Sequence, residues 1–206
     1  MRASNYGPGG AGSADVFSVN CDQLTFTSEN LPAIKQKEDY CWCPEDYKVQ
    51  ISFDMQGTNF PGQEYRPISK KWADIEKRLM NIEYEPFGQL MAMTNPFRED
   101  AKRDFSSDMT TNQKIITAFK VLRKNLAWDG TYRLYGINPS KVLKEKRGSN
   151  ADLNFVLISI LKDFGFSAYP VVMSHRSAGI LPINYPSIQK LNTFVVAVYD
   201  QDNKKY

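Results

Sequence analysis

Residues 147–174 read RGSNADLNFVLISILKDFGFSAYPVVMS. Leu153, Val156, Leu157, Ile160, Leu161 and Phe164 recur at i, i+3, i+4, i+7, i+8 and i+11, the spacing of a stripe that faces a core from one side of a helix. Ser149 and Asp152 make an S-x-x-D pattern just before that stripe. A hydroxyl and a carboxylate three residues apart can satisfy each other's backbone N–H groups, so the spacing predicts a helix start there. Gly165 follows the last apolar position, where a residue with positive φ commonly ends a helix. The stretch 150–164 is therefore expected to be a capped, core-facing helix, and Ala168–Met173 a strand.

The neighbouring segments extend this plan. On the C-terminal side a loop runs through Tyr185-Pro186 to a second strand, Thr193–Tyr199. Upstream, Ile115, Phe119, Leu122 and Leu126 predict a helix over 111–127, capped by Thr110 or Thr111 and closed by the turn residues Trp128, Asp129 and Gly130. Lys141–Lys146 reads as a short helix. Phe87–Met93 reads as another, and Trp72, Ile75, Leu79 and Ile82 define one more with Ser69 as its N-cap. Before Gly57 the period changes to two. Val16–Cys21, Leu24–Ser28 and Val49–Phe53 alternate as strands do. The Gly-rich opening, residues 1–13, has no apolar period and is expected to be a flexible tail.

Composition narrows the function classes. Of 206 residues 42% are hydrophobic, ample for a core, and the net charge is only +3 with cations and carboxylates interspersed, so no basic stripe points to nucleic acid. The longest apolar run, Phe155–Leu161, contains Ser159 and is far shorter than the roughly 18 residues of a membrane span. No signal peptide is legible at Met1. With three cysteines (Cys21, Cys41, Cys43) and the single His175, the chain lacks a zinc-ligand set, and no metal or cofactor is expected. The cysteines read as structural or incidental, Cys21 being open to a disulfide in an oxidising compartment.

The segment 147–174, followed by NTFVVAVYD (Asn192–Asp200), resembles the bacterial transglutaminase-like superfamily. There a Gly-x-Cys-x-Asp/Glu segment opens a long apolar helix, a Gly-[Ile/Phe/Leu]-x-Ala turn leads to a strand, and a His-led segment begins the next. ENLPAIKQKEDY (Glu29–Tyr40), KVQISFDMQG (Lys48–Gly57) and NLAWDG (Asn125–Gly130) are similar to an envelope branch with an N-terminal β-sandwich of unknown function. The resemblance implies an α+β fold with a papain-like core of helices packed on an antiparallel sheet. Residues 14–65 would be the end of a β-rich N-terminal lobe. Residues 66–206 would be the core, with the strand bearing the family's Asp expected beyond Tyr206. It also implies residence in the periplasm or at the cell surface of a Gram-negative bacterium.

Carried over position by position, the family's cysteine falls on Asn150 and its histidine on Asn192. A cysteine there would have its thiolate stabilised by the helix N-terminus and a facing histidine. An amide is neither nucleophile nor base, so both roles are vacant. The expectation is a catalytically inactive domain serving as a binding or scaffolding module for a peptide, a glycan or a neighbouring domain of the same protein. A purely structural spacer stays open. Ser149 and Asp152, beside the vestigial pair, are expected to cap the helix, and Asn192 to hydrogen-bond across to Asn150. Trp128, Tyr132, Tyr135 and Tyr169 are candidates to line a groove at the site, or else core. The alternative is an active cysteine hydrolase or transamidase with displaced machinery, drawing on a cysteine or Ser149 with His175.

Overall fold

The structure, a computed structural model, describes residues 23–34, 43–51, 53, 55, 57–60, 62–68, 71–184 and 186–199. The chain is α+β. β1 (Gly57–Thr58) pairs antiparallel with β2 (Arg66–Pro67). Helices α1 (Trp72–Leu79), α2 (Pro86–Met91), α3 (Arg98–Asp104) and α4 (Thr111–Asn125) follow. β3 (Ala127–Trp128) runs parallel to β4 (Arg147–Gly148), with α5 (Pro139–Glu145) between them. Then come α6 (Asn150–Asp163), β5 (Ser167–Met173) and β6 (Thr193–Tyr199). β5 and β6 pair antiparallel along their whole lengths, Ser167 opposite Tyr199 and Met173 opposite Thr193.

α6 is the axis of the molecule. It touches α2, α3, α4, β4, β5 and β6, and its burial reflects this. Ala151, Phe155, Val156, Ile158, Ile160 and Leu161 are all buried, while Leu153 and Leu157 are only partly so. The expected one-sided stripe is thus corrected to a helix covered nearly all round, because elements pack on it from several directions. Both ends follow the sequence signals. Ser149 is the N-cap, in a capping box with Asp152. At the other end Gly165 has φ +83°, its N–H donates to the Lys162 carbonyl, and the Phe166 N–H donates to that of Leu161. This is a Schellman closure.

Three rings lock α6 to its neighbours. Phe87 of α2, Phe155 of α6 and Phe194 of β6 are each about 1% exposed, and their centroids lie 5.0, 5.3 and 4.9 Å apart in tilted or edge-to-face pairs. Hydrogen bonds secure the rest. Lys162 Nζ donates to the Met91 carbonyl at the C-terminus of α2 (2.9 Å), and the buried Asn95 donates to Asp163 (3.1 Å).

Several expectations shift. α4 is capped by Thr110 with Gln113 completing the box, and of its expected stripe Leu122 and Leu126 are buried and Ile115 packs against the core, while Phe119 departs from it. Thr117, Ala118, Val121 and Leu122 are buried, whereas Phe119 is 49% exposed. Ala118 is fully buried, and the next residue, Phe119, faces outward. The helix expected over 141–146 begins at Pro139, behind the N-cap Asn138. The N-cap of α1 is Lys71, and the expected cap Ser69 lies outside the described residues. α3 and the two-residue parallel pair β3–β4 carry no period that could announce them.

The strands expected before Gly57 are absent where they can be seen. Leu24–Ser28 carries no strand, and neither do Val49, Ile51 and Phe53, which are exposed. Alternation alone does not make a strand. A strand needs a hydrogen-bonded partner, and among the described residues no ladder includes these segments, although the Phe26 and Phe53 rings lie 6.2 Å apart. Val16–Cys21 and the tail 1–13 lie outside the described residues.

These packing assignments predict opposite outcomes for two phenylalanines. Phe87→Ala should lower stability by about 3–5 kcal/mol. Phe119→Ala should cost less than about 1 kcal/mol. Urea midpoints of the two variants against the parent check both.

Candidate functional site

The site is built on the head of α6, and Asp152 organises it. This side chain is 6% exposed. Its Oδ2 accepts from the Ser149 N–H (2.9 Å) and the Ser149 hydroxyl (2.6 Å), and its Oδ1 accepts from the Ile137 N–H (2.7 Å). One carboxylate therefore closes the helix N-terminus and ties it to the 131–137 segment that crosses above it. Two glycines make room. A Cβ on Gly136 would stand 2.8 Å from Asp152 Oδ1 and 2.7 Å from Leu90, and one on Gly148 would stand 2.9 Å from Asp152 Cβ.

Asn150 occupies the first turn of α6 and bridges three pieces of chain. Its Oδ1 accepts from the Arg133 N–H (2.6 Å), its Nδ2 donates to the Thr193 hydroxyl at the start of β6 (2.7 Å), and its own N–H donates to the Thr131 carbonyl (3.1 Å). Asn192 is bonded differently. Its Oδ1 accepts from the His175 N–H (2.6 Å), and its N–H donates to the Met173 carbonyl (3.2 Å). The expected bond between the two asparagines is replaced by a bond from Asn150 to the next residue, Thr193. Asn192 instead staples the mouth of the 174–192 loop. That loop is pinned twice more, by Trp72 Nε1 on the Ile183 carbonyl (2.7 Å) and by the Ile180 N–H on Asp46 (2.8 Å).

The staple brings His175 to the site. Its ring lies on Tyr132, centroids 4.7 Å apart and planes 30° from parallel, and Tyr132 in turn packs on Trp128 at 5.3 Å. Trp128 and Tyr132 are about half exposed. These two expected groove residues and His175 form a continuous aromatic strip beside Asn150. Tyr169 and Tyr135 lie elsewhere. Tyr169 pairs with Ala197, four residues along β6 from Thr193 or roughly 13 Å at strand rise, and its ring partner is Tyr199. Tyr135 packs edge-on to Phe87 in the core, where burial, reinforced by Glu85, raises its phenol above the ordinary range.

Among the described residues, neither displaced nucleophile is presented to solvent. Ser149 is 1% exposed and its hydroxyl is donated to Asp152, and Cys43 is buried. Cys21 and Cys41 lie outside the described residues. Among the described residues no group of three His, Cys, Asp or Glu could hold a metal ion, and no helix is long and apolar enough to cross a membrane.

The residues missed by sequence reading are Thr193, Arg133 and Thr131. The last two act through backbone groups, for which no side-chain signal exists. Thr193 was legible only as the residue after Asn192.

No protein-family model matches the chain, and no curated protein matches it. It is similar to a solved structure from Parabacteroides distasonis, described in its own words as "a putative protease", with a TM-score of 0.42 at 15% identity, over 65% of this chain and 24% of that one. The chain thus spans about a quarter of the length of the solved protein it matches.

Two predictions follow from the bonding around α6. Asp152→Ala leaves the Ser149 and Ile137 N–H groups without their acceptor, which should cost about 2–4 kcal/mol in chemical denaturation. The second concerns Asp129, whose carboxylate accepts from the Thr131 hydroxyl (2.6 Å) and N–H (2.8 Å). Those bonds, the hydroxyl first, with help from Arg147 and Arg133, hold the carboxyl below its ordinary range. A depressed folded-state value gives stability that is present above the ordinary carboxylate range and lost as pH falls through the lowered one. The Thr131 amide resonance should therefore stay put through the ordinary range and move only below it. Asp129→Asn should abolish that titration.

Proposed function

We propose that this chain is a papain-like, transglutaminase-like domain whose reactive positions have become structural, and that it serves as a binding or scaffolding module of a bacterial envelope protein. The observation that carries the reading is the bonding of Asn150. At the head of the central helix, where the resemblance puts a thiol, both ends of an amide are engaged by the Arg133 N–H and the Thr193 hydroxyl. The side chain joins the crossing segment, the helix and the last strand, a role a sulfur could not fill with comparable bonds. The order of parts also supports it. A buried helix headed by the site residue packs on an antiparallel pair, and the second strand begins next to the other vestigial position, Asn192.

The binding face of this reading is the strip of Trp128, Tyr132 and His175. Aromatic surface of this kind receives a peptide side chain or the apolar face of a sugar. Export to the periplasm or cell surface belongs to the same proposal and rests on the resemblance of the sequence.

Incubation with a glutamine-containing peptide and an amine should release no ammonia, and titration with soluble peptides and oligosaccharides should perturb the resonances of Trp128, Tyr132 and Asn150 together. Trp128→Ala should weaken that response at least tenfold without changing the fold. Ammonia release that a Cys43→Ser variant or a thiol-directed electrophile abolishes would overturn the reading in favour of a displaced cysteine enzyme.

A further inference from the structure

The aromatic strip has a cationic border. Tyr132 is followed by Arg133, and β4, the strand beside Trp128, begins with Arg147. Both arginines are exposed, and neither guanidinium makes an ion pair or a side-chain hydrogen bond among the described residues. Asp129, the carboxylate that feels them both, is already engaged by the Thr131 hydroxyl (2.6 Å) and N–H (2.8 Å). Glu145 lies 3.9 Å from Lys141, Asp152 is buried, and Lys146 between α5 and β4 adds a further exposed cation. The border therefore carries an excess of positive charge, and the ligand that complements it is an anion.

The main chain decides what kind of anion fits. The Ala127 and Asp129 N–H groups donate to the Lys146 and Gly148 carbonyls, and the Arg133 N–H donates to Asn150. The Thr131 carbonyl accepts from both the Asn150 N–H and Trp128 Nε1. β3 and β4 are only two residues long each. An extended peptide binds through a row of main-chain hydrogen bonds, and it finds no edge of useful length here. What the strip offers is side chains. The rings of Trp128 and Tyr132 stand 5.3 Å apart with their planes inclined by 64°, and the guanidinium groups present forked donors.

A uronic acid matches both features. The C–H groups on one face of its ring carry partial positive charge and lie well against the negative face of an aromatic ring. Its planar carboxylate accepts two parallel N–H bonds from one guanidinium. We propose that the strip is a subsite for an acidic oligosaccharide, whose sugar rings lie against Trp128 and Tyr132 while their carboxylates meet Arg133 and Arg147. The inference rests on the binding reading given above, and it narrows the ligand of that face from peptides and glycans to glycans that carry carboxylates.

The test is an NMR titration of the whole chain with trigalacturonate. The expected result is a joint response of the Trp128 indole N–H and the Arg133 and Arg147 side-chain N–H groups that weakens as salt is raised. The methyl ester of the same trisaccharide, which keeps the rings and loses the charge, should bind about tenfold more weakly or worse. The Arg133→Gln/Arg147→Gln variant should lose a similar factor with the Phe155 resonances unmoved, since both side chains are exposed. Arg123→Gln, on α4, should leave the titration unchanged. Equal binding of the ester, or undiminished binding by the double variant, would overturn the proposal. So would a glutamate-rich peptide or a neutral oligosaccharide that moves the strip while trigalacturonate does not, an outcome that keeps the binding reading of the domain. Silence of the strip toward all of these ligands at millimolar concentration would remove that reading as well.

Discussion

Everything around the head of α6 depends on one buried carboxylate. Asp152 takes three hydrogen bonds from two pieces of chain, and in doing so it solves a problem common to all buried helix ends, the orphan N–H groups of the first turn. Because Oδ1 reaches beyond the helix to Ile137, the cap is also a tertiary contact. It fixes the crossing segment, which carries Arg133, Tyr132 and Thr131 to their places over the helix. Gly136 and Gly148 follow from the same constraint, since either side chain would collide with the Asp152 carboxylate or its stem. A local capping signal thus becomes the anchor of a site.

The legible parts of this structure are those in which one residue answers a local demand. Ser149 with Asp152, Thr110 with Gln113, and Gly165 all do in the fold what their positions in the sequence say. Where a neighbour decides, the reading fails. Phe119 belongs to an apolar stripe by spacing, yet it is half exposed while its neighbour Ala118 is fully buried. Leu24, Phe26 and Val49 alternate correctly but stand exposed, because alternation describes a strand's faces and says nothing about whether an edge is there to pair with. The β3–β4 contact is two residues long and parallel, beyond the reach of any periodicity.

The candidate site divides in the same way. The position of Asn150 at the helix start, and the neighbourhood of Trp128 and Tyr132, could be read from spacing. The partner of Asn150 could not. Strand residues alternate in direction, so a displacement of one position between Asn192 and Thr193 decides which of them meets the helix and which one closes the loop. His175 illustrates the larger gap. Seventeen positions separate it from Asn192, yet its N–H donates to the Asn192 amide and its ring lies on Tyr132.

Asn150 and Asn192 therefore have different physical tasks. Asn150 uses donor and acceptor at once, and the bonds at both ends hold it in a single orientation. Asn192 uses its acceptor on a backbone N–H and so determines where a long loop leaves the sheet. A nucleophile must keep its reactive atom open to substrate, whereas a strut must do the reverse. At the head of α6 the amide is committed to its neighbours, and the surface still open to a ligand is the strip of rings beside it. What the structure shows at this position is rigidity: one amide holds the crossing segment, the helix and the strand in register.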